Sequence, residues 1–454
     1  MSQNNNGLWT EATRRKYILY GAPKLSTSII MGFADFGLFT LYALAYKIDP
    51  TLVAVGQGLG KLTIAASQFL LGWISDAKYT RWGRRKPFLL FLTPILSISF
   101  IFLLMPGLLI DITDLSMVYI WFLIWYQIFN ISYALTTPFS AWLVEQFKSK
   151  DRPKASQYEN TFGFFGTAVM AVFSMVVLSD FKDKIQANPS VIPAEYFISV
   201  IIFGILPLIL YYLAFFLMPT EPHFKIESNL IENLKIILRN KNYIRVNLMY
   251  GFASMGWTIV GSQILPFITY VIGFSGTTNI IASGIFVIGI LFFLYMWRKL
   301  VLGKGKKKSL MYTFISATIF LPFTLLGFLP SEMLTIFGYI FVLGIGGCLA
   351  GWFILPPVFF SDIAEDDEKQ SGELRAGIYR GFPSILLNIF QSIGLTIMGL
   401  LMMLPKITVG TNTFTMGYVL WGPMSSLIIF LAYLYARKYI QLDFEWEEKR
   451  SRVK

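Results

Sequence analysis

Long apolar stretches separated by short charged segments recur from one end of the chain to the other. A helix that crosses a bilayer takes about 20 mostly apolar residues. On that measure twelve spans are expected, at 20–46, 51–75, 87–107, 115–143, 157–179, 194–218, 246–273, 277–297, 309–329, 332–360, 377–405 and 413–436. The cations between them have a side. Lys47, Lys182, Lys184 and Lys406 occupy the connections on one side. Arg84, Arg85, Lys86, Lys148, Lys150, Arg152, Lys154 and the cluster from Lys304 to Lys308 fall on the other. Cytoplasmic connections carry the excess of Lys and Arg, so both termini are expected in the cytoplasm. The fold class that follows is an all-α integral membrane protein.

The longest inner connection divides the spans into two sets of six. The expected organisation is an N-terminal half at 1–218, a linker at 219–245, and a C-terminal half with a cytoplasmic tail at 246–454. In the linker, Ile226, Leu230, Leu234, Ile237 and Leu238 recur at helical spacing among Lys225, Lys235, Arg239 and Lys241. That pattern fits either an amphipathic helix on the inner leaflet or a soluble linker helix.

Composition narrows the chemistry. Hydrophobic residues make up 55% and charged ones 14%, where a soluble domain carries roughly 25% charged. The net charge of +12 alternates between membrane sides instead of forming one patch, which argues against nucleic acid. A single cysteine, Cys348, and a single histidine, His223, leave no disulfide, cysteine cage or histidine cluster, so no metal and no cofactor are expected. No nucleophile–base set points to an enzyme. Gly303-Lys304-Gly305-Lys306 follows a span and lacks phosphate-loop spacing. No apolar stretch with a small-residue cleavage site opens the chain.

Polar residues inside the spans need a reason, because the bilayer core makes them costly. Asp35 lies in the first span and Lys61 in the second. With Gln57 and Gln68, Lys61 forms a stripe at i, i+4 and i+11 that faces the bundle interior. Lys61 is the natural partner of Asp35. The pair reads either as a substrate and proton-coupling site or as a lock between two helices. Span 4 carries Tyr126, Asn130, Tyr133 and Thr137 on one face, and span 7 carries Tyr250, Ser254, Trp257 and Gly261. Span 5 offers Tyr158 and Asn160, and span 11 offers Ser384, Asn388 and Gln391. Neutral amides and hydroxyls beside aromatic rings suit a sugar, although helix–helix hydrogen bonding would also use them. Trp257 is the expected stacking residue, while Trp125 and Trp352 read as packing.

The segment Gly72 to Pro87, with Asp76, Arg81-Trp82-Gly83, Arg84 and Arg85, resembles the loop between helices 2 and 3 of major facilitator transporters. Three more segments resemble the glycoside-pentoside-hexuronide:cation symporters, the melibiose permease family. They are Gly32-Phe33-Ala34-Asp35-Phe36-Gly37-Leu38, Thr136-Thr137-Pro138-Phe139-Ser140-Ala141-Trp142-Leu143-Val144-Glu145, and Ser361-Asp362-Ile363-Ala364-Glu365-Asp366-Asp367 with Gly372-Glu373 and Gly377-Ile378-Tyr379. The resemblance implies a major facilitator fold that moves sugar with a sodium, lithium or hydrogen ion. It also implies that Asp35 binds substrate hydroxyls and that Lys61 stands where the melibiose permease has an arginine. The family's two cation-binding carboxylates of helix 2 fall at Ile64 and Gln68. Its helix 4 carboxylate falls at Thr136, its helix 5 arginine at Asn160 and its helix 11 lysine at Asn388. A hard cation prefers several oxygens, anionic ones above all, so the family's sodium site is mostly missing here.

The reading is a secondary carrier of a sugar or glycoside in the cell membrane, working as a monomer by alternating access. It is proton-coupled or uncoupled rather than sodium-coupled, with Asp35 as the coupling candidate. The substrate-binding candidates are Asp35, Lys61, Gln68, Tyr133, Thr136, Thr137, Asn160, Trp257, Asn388 and Gln391. Asp76, Arg81, Arg84 and Arg85 in one half and Asp362, Glu365, Asp366 and Asp367 in the other are candidates for a cytoplasmic gate, or the cations only set topology. Pro356-Pro357 and Pro383 permit bending in spans 10 and 11. The alternatives are a carrier of the same fold for a lysolipid, and a membrane receptor or scaffold that transports nothing.

Overall fold

The structure is a computed structural model. It describes residues 13–442 except 78, 149–150, 190, 221–234, 236–237, 331–333, 357–358, 361, 364–365, 367–382 and 411, and the side chains at 76, 77, 144 and 153 are outside the description. The linker pattern from Ile226 to Ile237, Pro357, Glu365, Asp367 and the Asp76 side chain therefore lie outside the described residues.

Two compact units divide the chain, Met1–Ser228 and Asn229–Lys454. In the first unit the helices are α1 (Arg14–Gly21), α2 (Pro23–Phe36), α3 (Pro50–Ala77), α4 (Lys86–Leu104), α5 (Leu115–Tyr133), α6 (Thr136–Gln146), α7 (Arg152–Phe173), α8 (Ser179–Ala187) and α9 (Ala194–Leu217). In the second they are α10 (Lys241–Pro266), α11 (Thr277–Lys304), α12 (Lys306–Phe320), α13 (Thr335–Ile354), α14 (Pro383–Met402) and α15 (Gly417–Tyr439). Each of the twelve expected stretches holds a helix. Among the described residues, nine helical stretches are long and apolar enough to cross a membrane. The helices at spans 1, 2 and 7 fall short of that measure. Spans 2 and 7 contain the polar and glycine-rich α3 and α10, and span 1 is divided into shorter pieces.

Local chemistry sets the ends. Asp114 caps α5 by accepting from the Ser116 and Met117 amides at 3.0 and 3.1 Å, and Asn240 caps α10 by accepting from the Tyr243 amide. The last carbonyls of α4 receive tyrosine hydroxyls, Tyr42 on Leu103 at 2.6 Å and Tyr196 on Leu104 at 3.0 Å. That satisfies acceptors which a helix end otherwise leaves bare. Spans 1, 5 and 7 each include a π-helical turn, Thr40–Ala45, Ser174–Leu178 and Phe267–Val271.

Three boundaries differ from expectation. Span 4 is two helices, because Pro138 has no amide to give Ala134 and its ring crowds that carbonyl; α5 stops at Tyr133 and α6 carries on to Gln146. Helix α13 ends at Ile354, two residues before Pro356. The start of span 12 is not helical. Lys406–Val409 (β1) and Asn412–Thr415 (β2) form an antiparallel hairpin that pairs Ile407 with Phe414, and α15 begins at Gly417. Alternating β-branched residues and Gly410, at φ +60°, favour that hairpin.

Within the first unit α2 packs on α7 and α9, α3 on α5, and α4 on α5 and α9. Within the second, α10 packs on α14 and α15, α11 on α13, and α12 on α13 and α15. The pairing plan of the first unit is thus repeated in the second. Large apolar side chains such as Ile202, Phe216, Ile288 and Phe292 are exposed along the spans, as suits helices bathed in lipid.

Candidate functional site

The site in the first unit grows from the crossing of α3 with α5. Gly56 and Gly60, four residues apart on α3, let α5 approach closely. A methyl group at Gly56 would collide with the Phe122 ring, and one at Gly60 with Tyr126 and Asn130. Small residues at this spacing bring membrane helices together. On the neighbouring face of α3, Lys61 reaches the end of α2, where its Nζ lies 2.7 Å from Asp35 Oδ1. The Lys61 side chain is 6% exposed and that of Asp35 34%. The cation is therefore the fixed, buried member of the pair, and the carboxylate is the reachable one. Removing either charge alone would leave the other uncompensated in a poor solvent for ions.

Two amides, on α3 and α5, have their orientation determined by what they donate to. Gln57 gives its Nε2 to the Ala34 carbonyl at 3.2 Å, next to Asp35. Asn130 gives its Nδ2 to the Tyr126 carbonyl at 2.7 Å. With their nitrogens committed, Gln57 Oε1 and Asn130 Oδ1 are buried oxygens that receive no hydrogen bond, and Gln68 Oε1 further along α3 is a third. Tyr126 and Tyr133, both buried, lie within electrostatic range of Asp35. The arrangement is an ion pair on a helix crossing whose amide oxygens, on α3 and α5, lack donors.

The other candidates of this unit are spread out. Thr136 donates to the Tyr133 carbonyl at 2.9 Å, at the break between α5 and α6. Thr137 sets its methyl against Gly72 of α3. Asn160 is exposed and lines an open depression of about 470 Å³ with Ser156, Gln157, Thr161 and Phe164. The family-derived cation positions are Ile64, which is buried and apolar, and Gln68.

In the second unit the aromatic residues gather. Trp257 stacks on Trp352 at 6.0 Å between centroids, and Trp352 stacks in turn on Tyr250 at 5.4 Å. Phe314 tilts against Trp352. Trp352, read from sequence as packing, is thus the middle ring of a column that also holds the expected stacking residue. Trp257 Nε1 is buried and donates to nothing. Asn388 turns its amide onto its own helix, donating to the Ser384 carbonyl at 2.7 Å, and Gln391 is half-buried on the same helix.

The loop charges take part in pairs inside their own units. Arg81 is exposed, with its guanidinium 4.6 Å from the Trp82 ring. Arg84 is buried and lies 5.9 Å from the Tyr79 ring. Arg85 is buried and makes a two-point contact to Glu145 Oε1, at 2.6 and 3.1 Å, plus a bond to Ser75 Oγ. Beside it, Lys86 donates to the Met218 carbonyl just past α9 at 2.7 Å. The second unit repeats this. Lys306 pairs with Asp362 at 2.6 Å, and Lys307 donates to the Ile440 carbonyl just past α15 at 2.8 Å. Each unit therefore clamps the start of one helix to an acid and to a helix C-terminus, where the macrodipole favours a cation. Sequence reasoning missed Glu145, Lys86, Lys306 and Lys307 as partners. The signal lay in the placement: two adjacent cations stand at the start of α4 and of α12, and an acid follows the next apolar span after each.

One pairing plan used twice by two helical units is the architecture of a membrane transporter of the major facilitator class. The solved structures agree. The chain is similar to a D-xylose–proton symporter, with a TM-score of 0.68 and 13% identity, covering 94% of this chain and 97% of that one. It is also similar to the nucleoside transporter NupG, with a TM-score of 0.58 and 16% identity, covering 94% and 100%. The chain belongs to the MFS/sugar transport protein family, whose model matches residues 19–431. In sequence it is similar to sodium-dependent lysophosphatidylcholine symporter 1 of Mus musculus, at 23% identity over 381 residues, 77% of this chain and 69% of that protein. The symporter of the same name from Xenopus tropicalis is 25% identical over 386 residues, 77% and 70%. The protein is a multi-pass membrane transporter and not an enzyme.

Proposed function

We propose that the protein carries a polyhydroxylated molecule, a sugar or glycoside, across the plasma membrane by alternating access. The observation that carries this reading is the Asp35–Lys61 pair together with three buried amide oxygens on α3 and α5, Gln57 Oε1, Asn130 Oδ1 and Gln68 Oε1, that receive no hydrogen bond. A buried acceptor without a donor costs about 1–3 kcal/mol. A sugar brings several hydroxyl donors, and a carboxylate accepts two of them at once with charge assistance. Asp35, the reachable half of the ion pair, would accept substrate hydroxyls and a proton, while Lys61 holds its position. Transport is then proton-coupled or uncoupled.

The similarity to sodium-dependent lysophosphatidylcholine symporters supports a second reading, a lysolipid carrier. Lysophosphatidylcholine offers anionic oxygens, a quaternary ammonium and a single glycerol hydroxyl, so it can pair at most one of the three amide oxygens, whereas a sugar can pair several. Uptake into reconstituted vesicles separates the two. Labelled sugars and glycosides, and separately labelled lysophosphatidylcholine, are offered under a pH gradient, a sodium gradient or neither. Sugar uptake that ignores sodium supports the first reading. Uptake of lysophosphatidylcholine without any sugar replaces it with the second.

A further inference from the structure

The junction between α11 and α12 carries more positive charge than its clamp uses. Gly305, at φ +83°, turns the chain between the two helices. Lys306 and Lys307 serve the clamp. Arg298, Lys299, Lys304 and Lys308 are exposed, and among the described residues no ion pair engages any of them. Lys304 stands 5.0 Å over the ring of Tyr312, which is itself exposed. At the corresponding junction of the first unit, between α3 and α4, Arg84, Arg85 and Lys86 are all buried.

These cations have a particular position. Ile288, Phe292, Tyr295, Lys299 and Leu302 follow one another at helical spacing on α11, with Arg298 alongside. Their apolar members are 68%, 58%, 68% and 79% exposed in chain order. A stripe so apolar and so bare on a membrane protein faces acyl chains. It ends in two tyrosines and four cations, the order expected where hydrocarbon gives way to headgroups. Setting topology requires only an excess of cations in the loop; it does not require them to terminate a lipid-facing stripe. Four unpaired like charges at one helix junction also repel one another unless an anion lies between them.

We propose that this junction binds the headgroup of an anionic phospholipid. Arg298 holds the phosphate with its planar fork, and Lys299, Lys304 and Lys308 surround it as point charges. The acyl chains lie along Ile288, Phe292 and Tyr295. The attraction is to the membrane's own anions, so it adds to insertion instead of competing with transport.

Full-length protein tests this in vesicles of phosphatidylcholine with and without phosphatidylglycerol. The wild type is expected to gain several degrees of thermal midpoint when phosphatidylglycerol is present, and to retain that lipid in native mass spectrometry. The variant R298Q/K299Q/K304Q/K308Q is expected to match the wild type in phosphatidylcholine and to lose both responses. The single variant Lys299→Arg should keep them. Equal lipid retention and equal stabilisation in the quadruple variant would overturn the proposal. So would stabilisation of the wild type by inorganic phosphate alone, which would make the site one for soluble anions. Mixed orientation of the variant with undiminished phosphatidylglycerol binding would mark the cations as topology signals only.

Discussion

At the scale of the residue, the sequence already singled out Asp35 and Lys61, since a charge in an apolar span requires a partner. Their 2.7 Å contact supplies it. The orientation of the amides was not legible, because it depends on the backbone carbonyls of Ala34 and Tyr126 that each nitrogen finds after folding. The pair yields a direct prediction. Lys61→Met should destabilise by about 3 kcal/mol, the lower end for breaking a buried pair because Asp35 is partly solvated. The double variant D35N/K61M should recover most of this in a thermal-shift assay, whereas Asp35→Asn alone should abolish uptake or its pH response. Unchanged uptake and pH response in that variant would remove Asp35 from the mechanism. Lys47 supplies a second prediction, since it holds φ +59° at the end of span 1, where Gly273, at φ +85°, ends span 7. Exchange of Lys47 for Gly should stabilise by about 1 kcal/mol, and Gly273→Ala should cost about as much. Lys16 gives a pH dependence outside the spans. Burial lowers its ammonium from 10.5 to about 8, against the pull of Asp151. Above pH 8 the folded chain has released that proton while the unfolded chain still holds it, so this group raises stability as pH climbs towards 10.5 and loses that contribution as pH falls through 8. Melting curves of Lys16→Met should lack this rise.

At the scale of the element, long apolar stretches marked where a helix lies in each expected span, while the short α1 and α8 fell outside them. Chain chemistry at the helix ends decided where they stop. Pro138 lay in plain view inside span 4, yet a mean over twenty residues averages it away; its missing amide divides the span into α5 and α6. The hairpin before α15 was hidden because Phe414 reads as the start of span 12 and Ile407 and Val409 as a short connection until their alternation is weighed. The close crossing of α3 and α5 was written in Gly56 and Gly60, although only the structure shows which rings fill the space. Gly60→Val should force Tyr126 and Asn130 away and cost about 1–3 kcal/mol. It should also displace the amide oxygen of Asn130, so uptake falls in excess of the loss in folded protein. Gly284→Ala serves as the comparison, since nothing lies within 4 Å of an added methyl there. A Gly60 variant that melts and transports like the Gly284 variant would show that the crossing tolerates a wider gap.

At the scale of the whole molecule, spacing led to the expectation of two halves and the structure divides the chain into two compact units, while the repetition of their chemistry was not legible. Arg85 and Lys306 are different residues, Glu145 and Asp362 are different acids, and the two loops share little sequence. Only their placement at the same point of the pairing plan reveals the repeat. The carbonyls that receive Lys86 and Lys307 could not be found from sequence, since every residue has one. Each clamp draws the partners described here from a single unit, and this fixes how two lesions should combine. Glu145→Gln removes a counter-charge from Arg85 at a site where the side chains are 11% and 4% exposed, and Asp362→Asn removes one from Lys306 at 16% for both. A loss of about 2–4 kcal/mol is expected for each, reduced by the oxygen that every amide keeps. The two clamps share no residue, so the double variant E145Q/D362N should show the sum of the single losses to within about 0.5 kcal/mol. Thermal or denaturant unfolding of the four proteins in one detergent closes the cycle. A departure from additivity well beyond that margin would mean that the clamps communicate, and the cations of one unit would then have to be read as acting on the other.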